Sequence, residues 1–269
     1  MIVLILKTIK GYRWPVITIS ILLTGFGILF PTTYSTFGPE GSPEFWENLP
    51  KGMSALMKTE TIPMLSAGLN EYIATGLRHP LVLIIMSAFT IGTATSALAK
   101  EIEQRTILVL LAQPIKRYIL VTSRWIASLI GIVFLTMSLL IGVLIGVLIE
   151  GFGNEFSVKL LMFTGVNTLC LGTAILGYSY LISAKSDEGG RATLLAASLT
   201  VLFFFIDFIS SLFDSLSNLS TLSIFHYYDP VKLASTNSFP ILHVSVLASV
   251  GLISFIAAIV IFKRRDITA

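Results

Sequence analysis

Charged residues are scarce in this chain, and cysteine is almost absent. Of the 269 residues, 12% are charged and 54% are hydrophobic, whereas a soluble globular domain has about 25% charged residues. So few charges cannot cover a water-facing surface, which excludes a soluble protein and indicates that apolar side chains face lipid. The net charge of +3 gives no reason to expect a nucleic-acid partner. The single cysteine, Cys170, cannot form an intrachain disulfide and has no partner for a metal site.

Six stretches of mostly apolar residues are long enough to cross a bilayer, which takes roughly 20 residues each. They predict an all-α membrane protein, with a single transmembrane domain over residues 1–269 and no separate soluble domain. The predicted spans cover residues 14–30, 80–99, 120–149, 158–184, 192–213 and 241–262.

The positions of lysine and arginine predict on which side of the membrane each loop lies. If the N-terminus is cytoplasmic, five of the 18 such residues fall outside and the other 13 inside. The outer five are Lys51, Lys58, Arg78, Lys159 and Lys232. This asymmetry predicts a multi-pass protein of the cell membrane with both termini in the cytoplasm.

Two segments outside the predicted spans are expected to lie along the membrane surface. Residues 1–13 are predicted to form a short amphipathic helix at the inner interface, with their basic residues toward the headgroups. The alternative is that these residues simply extend the first span. The outer loop, residues 31–79, opens with turn-forming residues and then has apolar residues at helical spacing. This pattern predicts two short amphipathic helices on the outer surface, over residues 48–57 and 64–77.

A charged residue inside a span is costly and often functional, and Asp207 in the fifth span is the clearest example. Three alternatives are open for it: a role in a pathway or gate, a structural ion pair, or snorkelling to the outer interface. Its candidate partners are Arg78, His226 and His243. All three histidines, including His79, fall near the outer side without a closely spaced pair of ligands, so no metal site is predicted.

Uncharged polar residues and glycines in the spans point mainly to helix packing. Asn167 in the fourth span is expected to hydrogen-bond to another helix rather than to bind a substrate. Thr93 belongs to a stripe of small polar residues in the second span that lines a cavity or allows close packing. With Asp207, these two are the candidate pathway or gate residues. Gly142 and Gly146 in the third span have the spacing of a close helix–helix contact.

The connection between the second and third spans, residues 100–119, is predicted to lie at the inner surface. Strong helix formers continue the second span beyond the membrane, and Pro114 ends this helix near Gln113 because proline is not tolerated in a helix interior. Leucines lie on one side of the predicted helix and charges on the other. Such an element has little reason to exist for anchoring alone, so we interpret it as a docking site for a cytoplasmic partner.

Six residues of this connection match a known pattern at fixed spacing. They are Glu101, Thr106, Leu110, Leu111, Pro114 and Arg117. The pattern, Glu-x-x-x-Gly-Thr-x-x-x-Leu-Leu-x-x-Pro-x-x-Arg followed seven residues later by Lys, is that of the membrane subunit of type-2 ABC exporters, which the chain therefore resembles. It departs at Arg105, which replaces a flexible glycine, and at Arg124, which replaces Lys but keeps the charge. The tail, residues 262–266, is also similar to the family's ending.

The resemblance implies a permease subunit that exports a substrate with the energy of ATP hydrolysis. The six matched residues would form a coupling helix seated in a cleft of a separate ATP-binding subunit, and closure of two such subunits would rock the spans. That partner would bind ATP and magnesium, because this chain has no Gly-x-x-x-x-Gly-Lys-Ser/Thr loop and is expected to bind no cofactor. A second permease subunit, identical or sister, would form the substrate path at its interface with this one.

Two other classes of protein stay open at this point. A membrane-embedded enzyme would need a compact set of nucleophile, base or metal ligands within the spans, and the sequence offers none, so no catalytic residue is assigned. A secondary transporter or channel-like protein would normally have more spans or an inverted repeat of broken helices. The sequence does not identify the transported substrate.

Overall fold

A computed structural model describes residues 1–37, 68–107, 116–236 and 238–265. Within these ranges all regular structure is helical, and six helical stretches are long and apolar enough to cross a membrane, which confirms the six predicted spans. The α-helices are α1 (Ile2–Phe37), α2 (Leu69–Leu77), α3 (Pro80–Ala97), α4 (Ala99–Glu103), α5 (Arg117–Ile149), α6 (Val158–Lys185), α7 (Gly189–Leu212), α8 (Pro230–Thr236) and α9 (Ile241–Arg264).

The helix bundle has two ends that differ in what they carry. One end holds the start of α1, the connection from α3 to α5, the α6–α7 loop and the end of α9, and we call it the inner end after its predicted orientation. The outer end carries α2, α8 and, among the described residues, three 3-10 helices, Phe152–Asn154, Asp214–Leu222 and Phe225–Tyr227. The cytoplasmic position of the inner end stays a prediction.

The N-terminal segment is part of one continuous helix, α1. The separate interfacial helix predicted for residues 1–13 is therefore wrong, and the alternative, an extended first span, is observed. At 1.5 Å per residue the 36 residues of α1 reach about 54 Å, well beyond a hydrocarbon core of about 30 Å. The helix also continues through Pro31, where a turn was expected. Packing explains this, because the Pro31 ring lies against α5 beside Gly146.

Glycines let α1 and α5 approach backbone to backbone. A Cβ atom placed on Gly146 would lie 2.7 Å from the Ile28 carbonyl oxygen, closer than real Cβ atoms come to any neighbour. Gly142 faces the backbone of Thr24 in the same contact. The predicted close packing through these two glycines is confirmed.

The central helix of the bundle is α6, which packs against α3, α5, α7 and α9. It contacts α9 backbone to backbone, since a Cβ on Gly251 would lie 2.6 Å from the Thr173 carbonyl oxygen. The spans containing α3 and α6 are the most buried, while α1, α7 and α9 keep most of their surface exposed. The exposed side chains include large apolar ones such as Phe205 and Ile253, as a lipid-facing surface requires.

One of the two helices predicted for the outer loop falls within the described residues. It is α2, which begins at Leu69 within the predicted range 64–77. It buries Leu69, Tyr72 and Ile73 against the bundle, so it is more firmly packed than a helix lying on the surface. The helix predicted over residues 48–57 lies outside the described residues.

Candidate coupling site

A break at Leu98 separates α3 from α4. Leu98 has φ −126° and ψ −66°, outside the helical region. Side chains from distant helices satisfy the backbone groups at the break: the Ala99 N–H donates to Ser183 Oγ at 3.0 Å, and Arg124 donates to the Ala97 carbonyl. The prediction that the second span continues as one helix to about residue 113 is therefore wrong.

Arg124 also pairs with Glu101 in the first turn of α4. The distance between Arg124 Nη2 and Glu101 Oε1 is 2.6 Å, and the side chains are only 10% and 24% exposed. Because a guanidinium group presents several donors in a rigid fork, Arg124 binds the end of α3 and the start of α4 at once. A lysine, which the resemblance predicts here, has one nitrogen and cannot make the same fork.

The arginine that replaces the expected glycine has a glycine-like backbone. Arg105 has φ 56° and is the one non-glycine residue with a positive φ in the described part of the chain. It follows Gln104, the C-cap of α4, at the position where a left-handed residue commonly ends a helix. Glycine is favoured in this conformation, so Arg105 keeps the shape of the turn at a cost of about 1 kcal/mol.

The remaining residues of the pattern divide between described and undescribed positions. Thr106 supports the turn, because its Oγ1 donates to the Glu101 carbonyl at 3.3 Å. Leu110, Leu111 and Pro114 lie in residues 108–115, outside the described residues.

Arg117, the first residue of α5, reaches the C-terminal end of α9. Its Nη1 donates to the Arg265 carbonyl at 2.6 Å and to the Phe262 carbonyl at 3.4 Å. The last carbonyl groups of a helix have no donor within the helix, and a positive charge is favourable beside them. Arg117 therefore ties the C-terminal side of the connection to α9.

Arg265 continues this contact to the end of α6. Its Nη1 donates to the carbonyls of Ala184, at 2.7 Å, and Ser186, at 3.0 Å, while its Nη2 pairs with Asp187. On the other side of the connection, Glu103 Oε2 accepts a hydrogen bond of 2.9 Å from the backbone N–H of Gly189, the first residue of α7.

Glu101, Thr106 and Arg117 thus lie at the same end of the bundle, as predicted, within a polar network wider than the pattern. Sequence reasoning did not include four members of this network among the site residues. They are Glu103, Arg124, Asp187 and Arg265. Arg124 and Arg265 lie at positions that the resemblance covers, and all four are charged residues of a charge-poor chain. Only the folded structure shows which helix ends they bind.

At the outer end Asp207 is held in an ion pair. Its Oδ2 lies 2.9 Å from Arg78 Nη2, and Arg78 Nη1 lies 3.6 Å from Asp229 Oδ1. Of the alternatives left open for Asp207, the pair with Arg78 is confirmed, while a role in a pathway or gate stays a prediction. Tyr228 lies nearby, and its hydroxyl donates to the Leu77 carbonyl at 3.1 Å. Burial raises the pKa of Tyr228 to about 12, so this donor stays protonated at neutral pH.

The two other candidate pathway residues are buried in the bundle. Asn167 is fully buried, and within the described ranges neither its Oδ1 nor its Nδ2 has a hydrogen-bond partner. The predicted interhelical hydrogen bond of Asn167 is therefore not found among the described residues. The Thr93 carbonyl accepts a hydrogen bond of 3.4 Å from the Tyr12 hydroxyl. A pathway role for Asn167 and Thr93 stays a prediction.

Six spans and a polar connection bonded to several helix ends define a multi-pass membrane protein. The chain matches the family described as ABC-2 family transporter protein over residues 7–267, nearly its whole length, and belongs to that family. The predicted resemblance is confirmed, and family membership implies in general that the protein works with an ABC ATPase subunit. None of the curated proteins compared with the chain matches it.

Proposed function

We propose that this chain is the membrane subunit of an ABC exporter, which moves its substrate out of the cell using ATP hydrolysed by a separate subunit. Two ATPase subunits, which bind ATP and magnesium, and a second permease subunit, identical or sister, complete the complex. The protein lies in the cell membrane with both termini in the cytoplasm. Family membership supports the permease role, and the distribution of lysine and arginine supports the orientation.

The observation that best supports coupling is that the inner connection is bonded to transmembrane helices on both sides. Arg124 ties Glu101 to α5 on one side, and Arg117 ties the other side to the end of α9. A connection without such bonds would absorb a displacement by bending. A connection bonded at both ends passes the displacement to the spans, because packed helices move as units rather than deform continuously.

In this proposal Leu110, Leu111 and Pro114 supply the contact with the ATPase subunit. Burying one leucine side chain in a partner's cleft contributes about 1.5–3 kcal/mol. Proline after the two leucines ends the docked segment. ATP-driven closure of the ATPase subunits then displaces this segment.

Site-specific photo-crosslinking in the complex purified with its ATPase subunit tests the contact. A photoreactive residue at Leu111 is expected to crosslink to the ATPase subunit. The control is Leu148, an exposed leucine (73%) near the opposite end of α5, which should not crosslink. An intact complex without a crosslink at Leu111 would contradict the coupling assignment. Substrate movement by the chain alone, driven by an ion gradient without ATP, would favour a secondary transporter instead.

The same contact is tested by activity. Replacing Leu111 with Ser is expected to weaken the effect of the permease on the ATPase rate about tenfold, since a loss of 1.4 kcal/mol in the contact is a factor of ten. Membrane insertion should be unchanged, because the residue lies between spans. An unaltered ATPase response of the L111S complex would show that the leucines are not at the interface.

A further inference from the structure

We propose that Arg265 is a positioning residue, which transmits displacement of the inner connection to α6 and α9 together. The inference rests on the proposed function, because it concerns how motion driven by the ATPase reaches the spans. It adds a residue, 148 positions from Arg117 in the chain, that lies outside the six-residue pattern.

Arg265 stands in the middle of a continuous set of contacts. Its backbone carbonyl accepts from Arg117 at 2.6 Å, and its guanidinium donates to Ala184 and Ser186 at 2.7 and 3.0 Å and pairs with Asp187. One residue therefore receives a bond from the start of α5 and gives bonds to the end of α6. A displacement of Arg117 has a direct route to both helix ends.

The position of this arginine has an electrostatic reason. Helices α6 and α9 both end at the inner end and pack backbone to backbone, with Gly177 against Gly251. Each C-terminal end carries roughly half a negative elementary charge, so the two ends repel each other. The guanidinium of Arg265, only 15% exposed, donates to the last carbonyls of α6, while that of Arg117 donates to the Phe262 and Arg265 carbonyls at the end of α9. Each helix end therefore has a positive partner, and Arg265 stands at the junction of the two.

The other side of the connection reaches the same loop. Glu103 accepts the Gly189 N–H, and a Cβ on Gly189 would lie 2.9 Å from Lys100 Cβ, so α4 and the start of α7 are in direct contact. The short α6–α7 loop is thus bonded to Glu103 on one side and to Arg265 on the other. Both ends of the inner connection therefore contact this loop, one through Glu103 and the other through Arg117 and Arg265. A displacement of the connection is transmitted through this loop to α6 and α7.

The experiment reports movement of this loop in the complex with its ATPase subunit in liposomes. With Cys170→Ala as background, Glu188→Cys on the exposed part of the loop carries an environment-sensitive fluorophore. A non-hydrolysable ATP analogue with magnesium is expected to change the fluorescence. Arg265→Met is expected to reduce this change at least about fivefold, the lower range of allosteric coupling, while the ATPase subunit still co-purifies.

The matched control is Arg264→Met. Arg264 is the preceding residue and is exposed, and its side chain makes no hydrogen bond or ion pair within the described residues, so its variant should keep the full fluorescence change. A purely structural role for Arg265 would lower the unfolding temperature but leave the nucleotide response of the assembled fraction intact. A full response in Arg265→Met would overturn the inference and leave the proposed function standing.

Two further outcomes are decisive. If Arg265→Met does not assemble, Arg265→Lys serves in its place, because it keeps the charge but cannot bond Ala184, Ser186 and Asp187 together. A reduced response in this variant supports the inference, and a full one overturns it. A wild-type complex that hydrolyses ATP without any fluorescence change at this loop would overturn the role of Arg265 and leave the proposed function standing.

Discussion

The arginines at the two ends of the bundle bind different kinds of acceptor. At the inner end, three arginines donate mainly to backbone carbonyls where α3, α6 and α9 end. They are Arg117, Arg124 and Arg265. At the outer end, Arg78 pairs with the side chains of Asp207 and Asp229.

This difference separates contacts that hold helix ends from a contact that holds side-chain charges. Breaking an inner contact leaves a helix end with unsatisfied carbonyl groups in a poorly solvated place, which costs about 1–3 kcal/mol for each group. Breaking the outer contact frees an arginine that is 37% exposed, but it also leaves Asp207, 12% exposed, without its partner. The inner end is therefore built to move together with its helices, whereas the outer pair joins side chains and holds no carbonyl groups at a helix end. This arrangement suits an energy input at the inner end, as we propose.

The largest expected effect is at Arg124. Arg124→Met leaves Glu101 without its partner and the Ala97 carbonyl without its donor. Removing one member of a buried pair costs about 3–5 kcal/mol, and because the Glu101 side chain is 24% exposed we expect about 2–3 kcal/mol. Thermal unfolding of the purified protein in detergent measures this loss.

Two control variants sharpen the result for Arg124. Arg124→Lys should recover only part of the stability, because it pairs with Glu101 but does not also reach the end of α3. Glu101→Gln combined with Arg124→Met should cost less than Arg124→Met alone, since no charge is left unpaired. If the double variant loses as much stability as the two single variants lose together, the two residues do not interact. This ion pair would then not contribute to the difference between the two ends.

Sequence reasoning found the spans but not the contacts that end them. The spans follow from a local requirement, an apolar stretch long enough for the bilayer, and α9 begins at Ile241, as predicted. The break at Leu98 has no proline or glycine to mark it. It depends on Arg124 and Ser183, which are 27 and 84 residues away from the groups they bind, and no local pattern contains that information.

For the candidate site too, local residues could be predicted from the sequence and their distant partners could not. The pattern from Glu101 to Arg117 is visible in the sequence because its spacing is local, and its assignment as the coupling site stays a prediction. The partners of that connection, Gly189 and Arg265, come from other loops. For α1, tertiary packing of Pro31 against Gly146 outweighed the turn-forming tendency of proline.

A smaller effect is expected at the outer end. Arg78→Gln removes both ion pairs and leaves Asp207, only 12% exposed, without its partner. Because Arg78 itself is 37% exposed, the loss should be about 1–2 kcal/mol. It should also shrink as salt is raised from about 0.05 to about 0.5 M, because screening weakens exposed charge pairs. The effect of Arg124→Met should be nearly independent of salt. If both variants lost the same share of their effect at high salt, the inner and outer contacts would not differ in how strongly solvent screens them.

The smallest expected effect concerns the left-handed turn at Arg105, a backbone feature of the inner end. Arg105→Gly relieves about 1 kcal/mol of steric strain, but the more flexible unfolded chain offsets roughly half of that or more, so we expect a gain of about 0.5 kcal/mol or less. Arg105→Ala should give no gain, because alanine meets the same steric conflict at positive φ. Thermal unfolding should therefore rank Gly above Ala. The opposite ranking, usual for a right-handed helical position, would mean that the inner connection continues α4 as a plain helix and that its fixed geometry has another origin.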